Sequence, residues 1–154
     1  MGYVDDNLMP GEEVLYRATL HWIIFVAPTF LVLAGLVIAV RFMVIEETAA
    51  FGGFGILLFL LGLVILMSRF ILFKSSEFAV TTKRVLIKVG FIRRHSLELL
   101  LAKVEGIGVD QSILGRLLRF GTIVVTGTGG TKETFKNISE PLEFRRRVQD
   151  QVPA

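Results

Sequence analysis

The chain has 154 residues, 53% of them hydrophobic, with 17 Lys/Arg against 14 Asp/Glu and a net charge of +3. That apolar content is high for a soluble domain, and it is concentrated in one part of the chain. There is no cysteine, which excludes disulfides, thiolate nucleophiles and cysteine-held zinc or iron–sulfur sites.

Residues 1–21 carry Asp5, Asp6, Glu12 and Glu13 against Arg17. No basic stretch precedes the apolar region as it would in a secretory signal, so the first apolar helix is expected to stay as an anchor. Within this segment Glu13 to His21 alternates weakly, with Val14, Tyr16 and Ala18 on one face. It reads as a short strand. His21 and Trp22 mark a membrane interface, where amphipathic rings gather.

Residues 22–73 are predicted to form a transmembrane helical hairpin. Trp22 to Val40 and Thr48 to Ser68 contain no charged residue. Each run spans roughly 30 Å as a helix, the thickness of a hydrocarbon core. The helices are expected over about Trp22–Val44 and Phe51–Phe73. Ala27 and Ala34 on the first helix, and Gly55 and Gly62 on the second, recur at heptad spacing. Small residues at that spacing let helix backbones approach, so these four are candidate packing positions, within the hairpin or between protomers. The connection between the helices carries Glu46 and Glu47 and no Lys or Arg, whereas Lys74, Lys83, Arg84 and Lys88 follow the second helix. The positive-inside rule then puts both termini in the cytoplasm.

Residues 74–154 are predicted to form a cytoplasmic domain. Here the period shifts from 3.6 to 2. Strands are expected at Phe78–Thr82, Val85–Val89, Ile92–Leu99, Val104–Asp110, Thr122–Thr126 and Lys132–Asn137. Lys83 and Arg84 fall in a turn, Gly90 in another, and Gly127–Gly130 in a third. Ser112 is placed to cap a helical turn, Ile113–Leu118, that stops at Gly121. A last helix runs from about Ser139 to Gln151, with Phe144, Val148 and Val152 as its apolar stripe. In the second of these strands, Val85, Ile87 and Val89 are expected on one face and Leu86 and Lys88 on the other.

The stretch from Val80 to Gly130 contains T-x-K-R-V, a strand–Gly–strand hairpin, V-D-x-S-x-x-G-R-x-L and G-T-I-V-V-T-G. In these elements the chain resembles the bacterial PH-domain membrane proteins, a membrane-flanked domain family of unknown function. The resemblance implies a PH-like antiparallel barrel closed by a C-terminal helix, with the hairpin inserted after its first strand. It also implies a bacterial inner-membrane location.

Chemistry is hard to find. GTGGTK, Gly127–Lys132, is not a Walker loop: no glycine directly precedes the lysine, and a strand follows instead of a helix. His95 and Ser96 point to opposite faces of one strand. Two distant histidines make no metal site. No catalytic residue, cofactor or metal is expected, and the phenylalanines lie mostly in the apolar helices, which disfavours nucleic acid. The basic residues Lys74, Lys83, Arg84, Arg93 and Arg94, placed in turns near the membrane, are expected to be exposed and to face anionic lipid headgroups. The expected function is a non-catalytic, membrane-anchored interaction or scaffolding module that self-associates or binds another membrane protein. The alternative is an accessory subunit of a transport, efflux or stress-resistance system.

Overall fold

The computed structural model describes residues 2–44, 49–91 and 94–151. The chain divides into two compact units, Trp22–Lys74 and a second built from Met1–His21 with Ser75–Ala154.

The first unit is a helix pair. A 3₁₀ turn, Trp22–Phe25, leads into α2, Val26–Val44, which is joined to α3, Ala49–Ser75. (A short helix, α1, Tyr3–Asp6, and a strand, β1, Val14–Ala18, precede them.) Pro28 lies in the first turn of α2, where the N–H it lacks would have had no helical partner. The helices are antiparallel, because contacts advance along one as they retreat along the other. Gly62 packs on Val32, Gly35 on Phe59, and Gly55 on Ala39. A Cβ on Gly62 would come within 2.9 Å of the Val32 backbone nitrogen, and one on Gly35 or Gly55 would collide with backbone outright. Phe25 and Phe73 meet with ring centroids 5.4 Å apart.

On α3, then, Gly55 and Gly62 face the other helix. On α2 buried residues lie one position on from Ala27 and Ala34, which leaves those two to the other expectation, a contact between protomers. Ala27 is exposed and Ala34 only half-buried, while Pro28, Gly35 and Ala39 are buried. One residue turns a helix by 100°, and Pro28 and Gly35 share the heptad spacing of Ala27 and Ala34, so spacing alone does not separate the two registers.

The second unit opens with α1, Tyr3–Asp6, which the sequence does not announce, followed by β1, Val14–Ala18. After the helix pair come β2, Glu77–Thr81; β3, Arg84–Val89; and β4, His95–Leu100. These form a four-stranded antiparallel sheet in the order β1-β2-β3-β4. A 3₁₀ turn, Leu101–Lys103, leads to β5, Val104–Asp110. Next are α4, Ile113–Leu118; β6, Phe120–Gly127; β7, Lys132–Ser139; and α5, Pro141–Gln149. β5, β6 and β7 make a three-stranded sheet. The segment after β1 meets the second sheet at an isolated bridge between Leu20 and Ile138, and neither sheet closes on itself. The architecture is therefore two antiparallel sheets with a terminal helix.

The core lies between the sheets and under α5. Phe78, Val85, Ile87, Ile123, Ile138, Phe144 and Val148 are fully buried. Phe78 meets Phe135 edge-on at 6.0 Å, and Tyr16 meets Phe144 at 6.3 Å. Leu86 is on the face opposite Val85 and Ile87, as expected, and it is just as deeply buried. α1 covers it: Val4 packs with Ala79 and Leu86, flanked by Leu8 and Val14. The Glu77 carboxylate anchors α1 by accepting from the backbone N–H groups of Tyr3 at 2.8 Å and Val4 at 3.0 Å. A carboxylate on those unpaired N–H groups also matches the helix dipole.

Candidate functional site

Of the basic residues expected at a membrane surface, Lys83 and Arg94 lie at opposite ends of the β3–β4 strand pair and are not brought together. Lys74 is exposed at the end of α3, and Arg94 is exposed just before β4. Arg93 lies outside the described residues. Lys83 is exposed in the β2–β3 turn, where its ammonium donates to the Pro10 carbonyl at 2.9 Å. In the sheet register Ala18 pairs with Phe78 and Val14 with Thr81. The chain leaves for the helix pair just beyond Ala18 and returns just before Glu77. Lys83 is thus at the opposite strand end from both crossings, about 15–20 Å away for a strand of this length.

Arg84 is a correction. It was expected on a turn with its charge exposed; it is the first residue of β3, and its side chain is 7% exposed. Its guanidinium donates to Glu12 at 3.0 Å, to Glu98 at 2.7 Å and to the Asn7 carbonyl. The physical reason is the N-terminal segment, which covers this face of the sheet and carries its own acid. Burial alone would push the Glu12 carboxyl up. The Arg84 guanidinium, the Thr81 hydroxyl at 2.6 Å and the Met9 N–H outweigh burial and hold it at about 2. This is a structural cluster, satisfied internally.

His95 and Ser96 do lie on opposite faces. His95 reaches Glu133 at 3.1 Å and packs near Phe135 between the sheets, while Ser96 sits on the side of Tyr3. No nucleophile is paired with a base there.

The most distinctive surface surrounds the place where β1 ends. His21, expected as a residue of the membrane boundary, is instead buried in this unit. Its ring stacks on Phe120, centroids 5.0 Å apart at 25°, and its backbone N–H donates to the Asn137 carbonyl at 2.7 Å. Burial lowers its pKa, against a bond with the Leu118 backbone that raises it. α4 ends immediately before Phe120. Ser112 caps it by accepting from Gly115 N–H at 3.1 Å. Arg119, in the left-handed region at φ 59°, stops it two residues before Gly121, where the stop was expected. Gly121 is already in β6; a Cβ there would lie 2.7 Å from the Asp110 carbonyl oxygen. The Arg119 carbonyl accepts from Glu140 N–H at 2.9 Å, which ties α4 to the start of α5. Among the described residues the left-handed non-glycines are Arg119, Asn137 and Glu140, all at this corner. Such backbone persists only where its surroundings hold it firmly.

A cleft of about 520 Å³ opens here, lined by Tyr16, Gln111, Arg116, Arg119, Leu142 and Glu143 among others. Above it α4 points its large side chains outward. Ile113 is 89% exposed, Leu117 79% and Leu114 54%. The sequence marked a helical turn here, but its outward apolar face depends on which side packs. Gly115 takes that side, since a Cβ there would stand 2.6 Å from the Phe120 carbonyl oxygen.

A family model described as "Bacterial PH domain" matches residues 23–152. The chain belongs to the bacterial PH domain family. The match begins within the Trp22–Phe25 turn, so β1, which completes the four-stranded sheet of this PH-family chain, lies outside it. No curated protein matches the chain. Among solved structures it is similar to a crystal structure from Shewanella loihica PV-4, a DUF1696 family protein with a pleckstrin-homology domain. Identity is 7% and the TM-score 0.42, over 53% of this chain and 74% of that one.

Proposed function

We propose that this PH-family chain is a non-catalytic interaction module held in the bacterial inner membrane by its helix pair, with both termini in the cytoplasm. One observation carries the anchoring. Trp22–Phe42 and Gly52–Ser75 have mean hydropathies of 2.8 and 2.7, yet only 17% and 6% of their most apolar windows are buried within the protein. A core helix of a soluble protein would be covered by its own chain; helices apolar all round and uncovered find their solvent in lipid. The orientation rests on Lys74, Lys83 and Lys88 after the second helix against Glu46 and Glu47 between the two.

The module reading rests on what the PH unit spends its polar groups on. Glu12, Arg84, Glu98 and Thr81 satisfy one another, and His95 pairs with Glu133. Self-association, or binding to another membrane protein, would supply the function. The test is extraction of the tagged full-length chain in mild detergent, followed by mass measurement of the particle. The expected particle exceeds one 17.2 kDa chain by a second copy or a co-purifying membrane protein. A monodisperse single chain with no companion, at the lowest detergent that extracts it, would contradict the module reading. Release of the chain from membranes by alkaline carbonate would contradict the anchoring.

A further inference from the structure

We propose that α4 is a second membrane contact of this chain: Ile113, Leu114 and Leu117 enter the headgroup–acyl boundary of an anionic bilayer, with Arg116 and Arg119 on its phosphates. The proposal deepens the membrane reading above and rests on it.

α4 is six residues long, and of these only Gly115 is buried. Single exposed leucines are ordinary on protein surfaces, but three large aliphatics on one short projecting helix mark a site where something apolar is met. Arg116 and Arg119 stand on the same element, and both line the cleft below it with Leu142, itself exposed. Aliphatic side chains flanked by arginines are the composition of an interfacial segment: the apolar part sinks and the guanidiniums remain among phosphates. Arg119 makes a long contact with Glu140, 3.9 Å, both side chains being exposed, so it can turn to an anion.

Position selects the bilayer over other apolar partners. Phe120, the residue after the Arg119 cap, stacks on His21. Trp22, the next residue in the chain, starts the first apolar span. Whatever the angle between the two units, α4 is tethered within a few residues of the point where the chain enters lipid. A second copy of this chain is the weaker candidate, because a stable protein interface buries roughly 800 Å² on each partner and this ridge offers three side chains. A tethered membrane contact needs far less, since the hairpin already holds the domain at the surface.

The chain has no cysteine, so a single introduced one labels cleanly. Leu117→Cys, Lys83→Cys and Leu60→Cys would each carry an environment-sensitive fluorophore on the full-length protein. The proteins would be reconstituted in vesicles of phosphatidylglycerol and phosphatidylcholine containing lipids with a quencher near the headgroup end of the acyl chain. Leu60 is exposed on α3 and reports the hairpin itself. The label at 117 is expected to be blue-shifted and quenched severalfold more than that at 83. The difference should shrink in pure phosphatidylcholine, and when Arg116→Gln and Arg119→Gln are added. Equal quenching at 117 and 83, with 60 strongly quenched, overturns the α4 contact and leaves the hairpin reading standing. No lipid quenching at 60 overturns both. A label at 117 that is blue-shifted but unquenched by lipid, and that returns to solvent when the protein is diluted to one chain per vesicle, assigns the ridge to a second copy and overturns the proposal.

Discussion

Arg84 and Glu12, 72 positions apart in the chain, meet as an ion pair whose two side chains are almost wholly shielded from water, Nε to Oε1 3.0 Å. Arg84→Met leaves the Glu12 carboxylate buried without a counter-charge. The expected loss is about 3–5 kcal/mol of stability in the PH unit. Lys83→Gln, one position away on the exposed turn, should change it by less than about 0.5 kcal/mol. Thermal unfolding in detergent micelles, followed by circular dichroism of the strands, distinguishes the two. Equal effects would mean that the Arg84 cluster is not the clasp between the N-terminal segment and the sheet.

The same cluster sets an acid limit. The Glu12 carboxyl titrates at about 2 in the folded chain against an ordinary 4.5. Between those values the unfolded chain binds the extra proton, so stability is full above pH 4.5 and falls as pH drops towards 2. His21 acts earlier. Its pKa is lowered from 6.5 by burial, so below 6.5 the unfolded chain again takes up the proton and stability starts to fall. A melting-temperature profile should decline in these two stages on acidification. Glu12→Gln should flatten the lower stage, at the cost of lower stability at neutral pH.

The helix pair tests which small residues pack within the hairpin. Gly35→Leu and Gly55→Leu drive a side chain into the facing backbone, whereas Ala27→Leu extends into open surroundings. Overpacking of this kind costs about 1–3 kcal/mol where neighbours can give, and backbone gives least. Both glycine variants should lower the thermal stability of the hairpin in detergent, and Ala27→Leu should leave it unchanged. The reverse order would place Ala27, and not Gly35, at the contact within the hairpin.

The PH unit should survive removal of the hairpin only if its first strand is retained. Ala18 and Phe78 are register neighbours, about 5 Å apart between Cα atoms as antiparallel partners are. A short glycine–serine linker can therefore join Leu20 to Ser76. That chain is expected to be soluble and folded, with dispersed amide resonances. A fragment starting at Lys74 lacks α1, β1 and Glu12, leaves Leu86 uncovered and Arg84 unpaired, and should not fold.

How much of this was legible depends on how far apart the partners lie. The two apolar helices are written in uninterrupted runs, and the Ser112 cap and the β5 limits follow from neighbouring residues. Arg84 reads as a surface turn because Thr81 and Lys83 are its sequence neighbours, whereas its partners Glu12 and Glu98 arrive from other elements. α1 is four residues long and owes its existence to Glu77 and Leu86, so nothing within Tyr3–Asp6 announces it. His21 reads as a boundary residue until Phe120 is brought against it. The outward face of α4 is invisible in Ile113–Leu118 alone, because the packed side is decided by Gly115 against Phe120. Ala27 and Ala34 obey the same spacing as Pro28 and Gly35, and only the contacting helix chooses between them.

The central claim is that the two apolar helices cross a bilayer and return, leaving the PH unit on the cytoplasmic side. Single cysteines at Thr48, between the helices in sequence, and at Thr82, on the exposed turn far from both chain crossings, can be probed in intact cells stripped of their outer membrane. A membrane-impermeant maleimide is predicted to label the Thr48→Cys chain at once and the Thr82→Cys chain only after detergent. Immediate labelling at position 82, or labelling of both positions only after detergent, would contradict it.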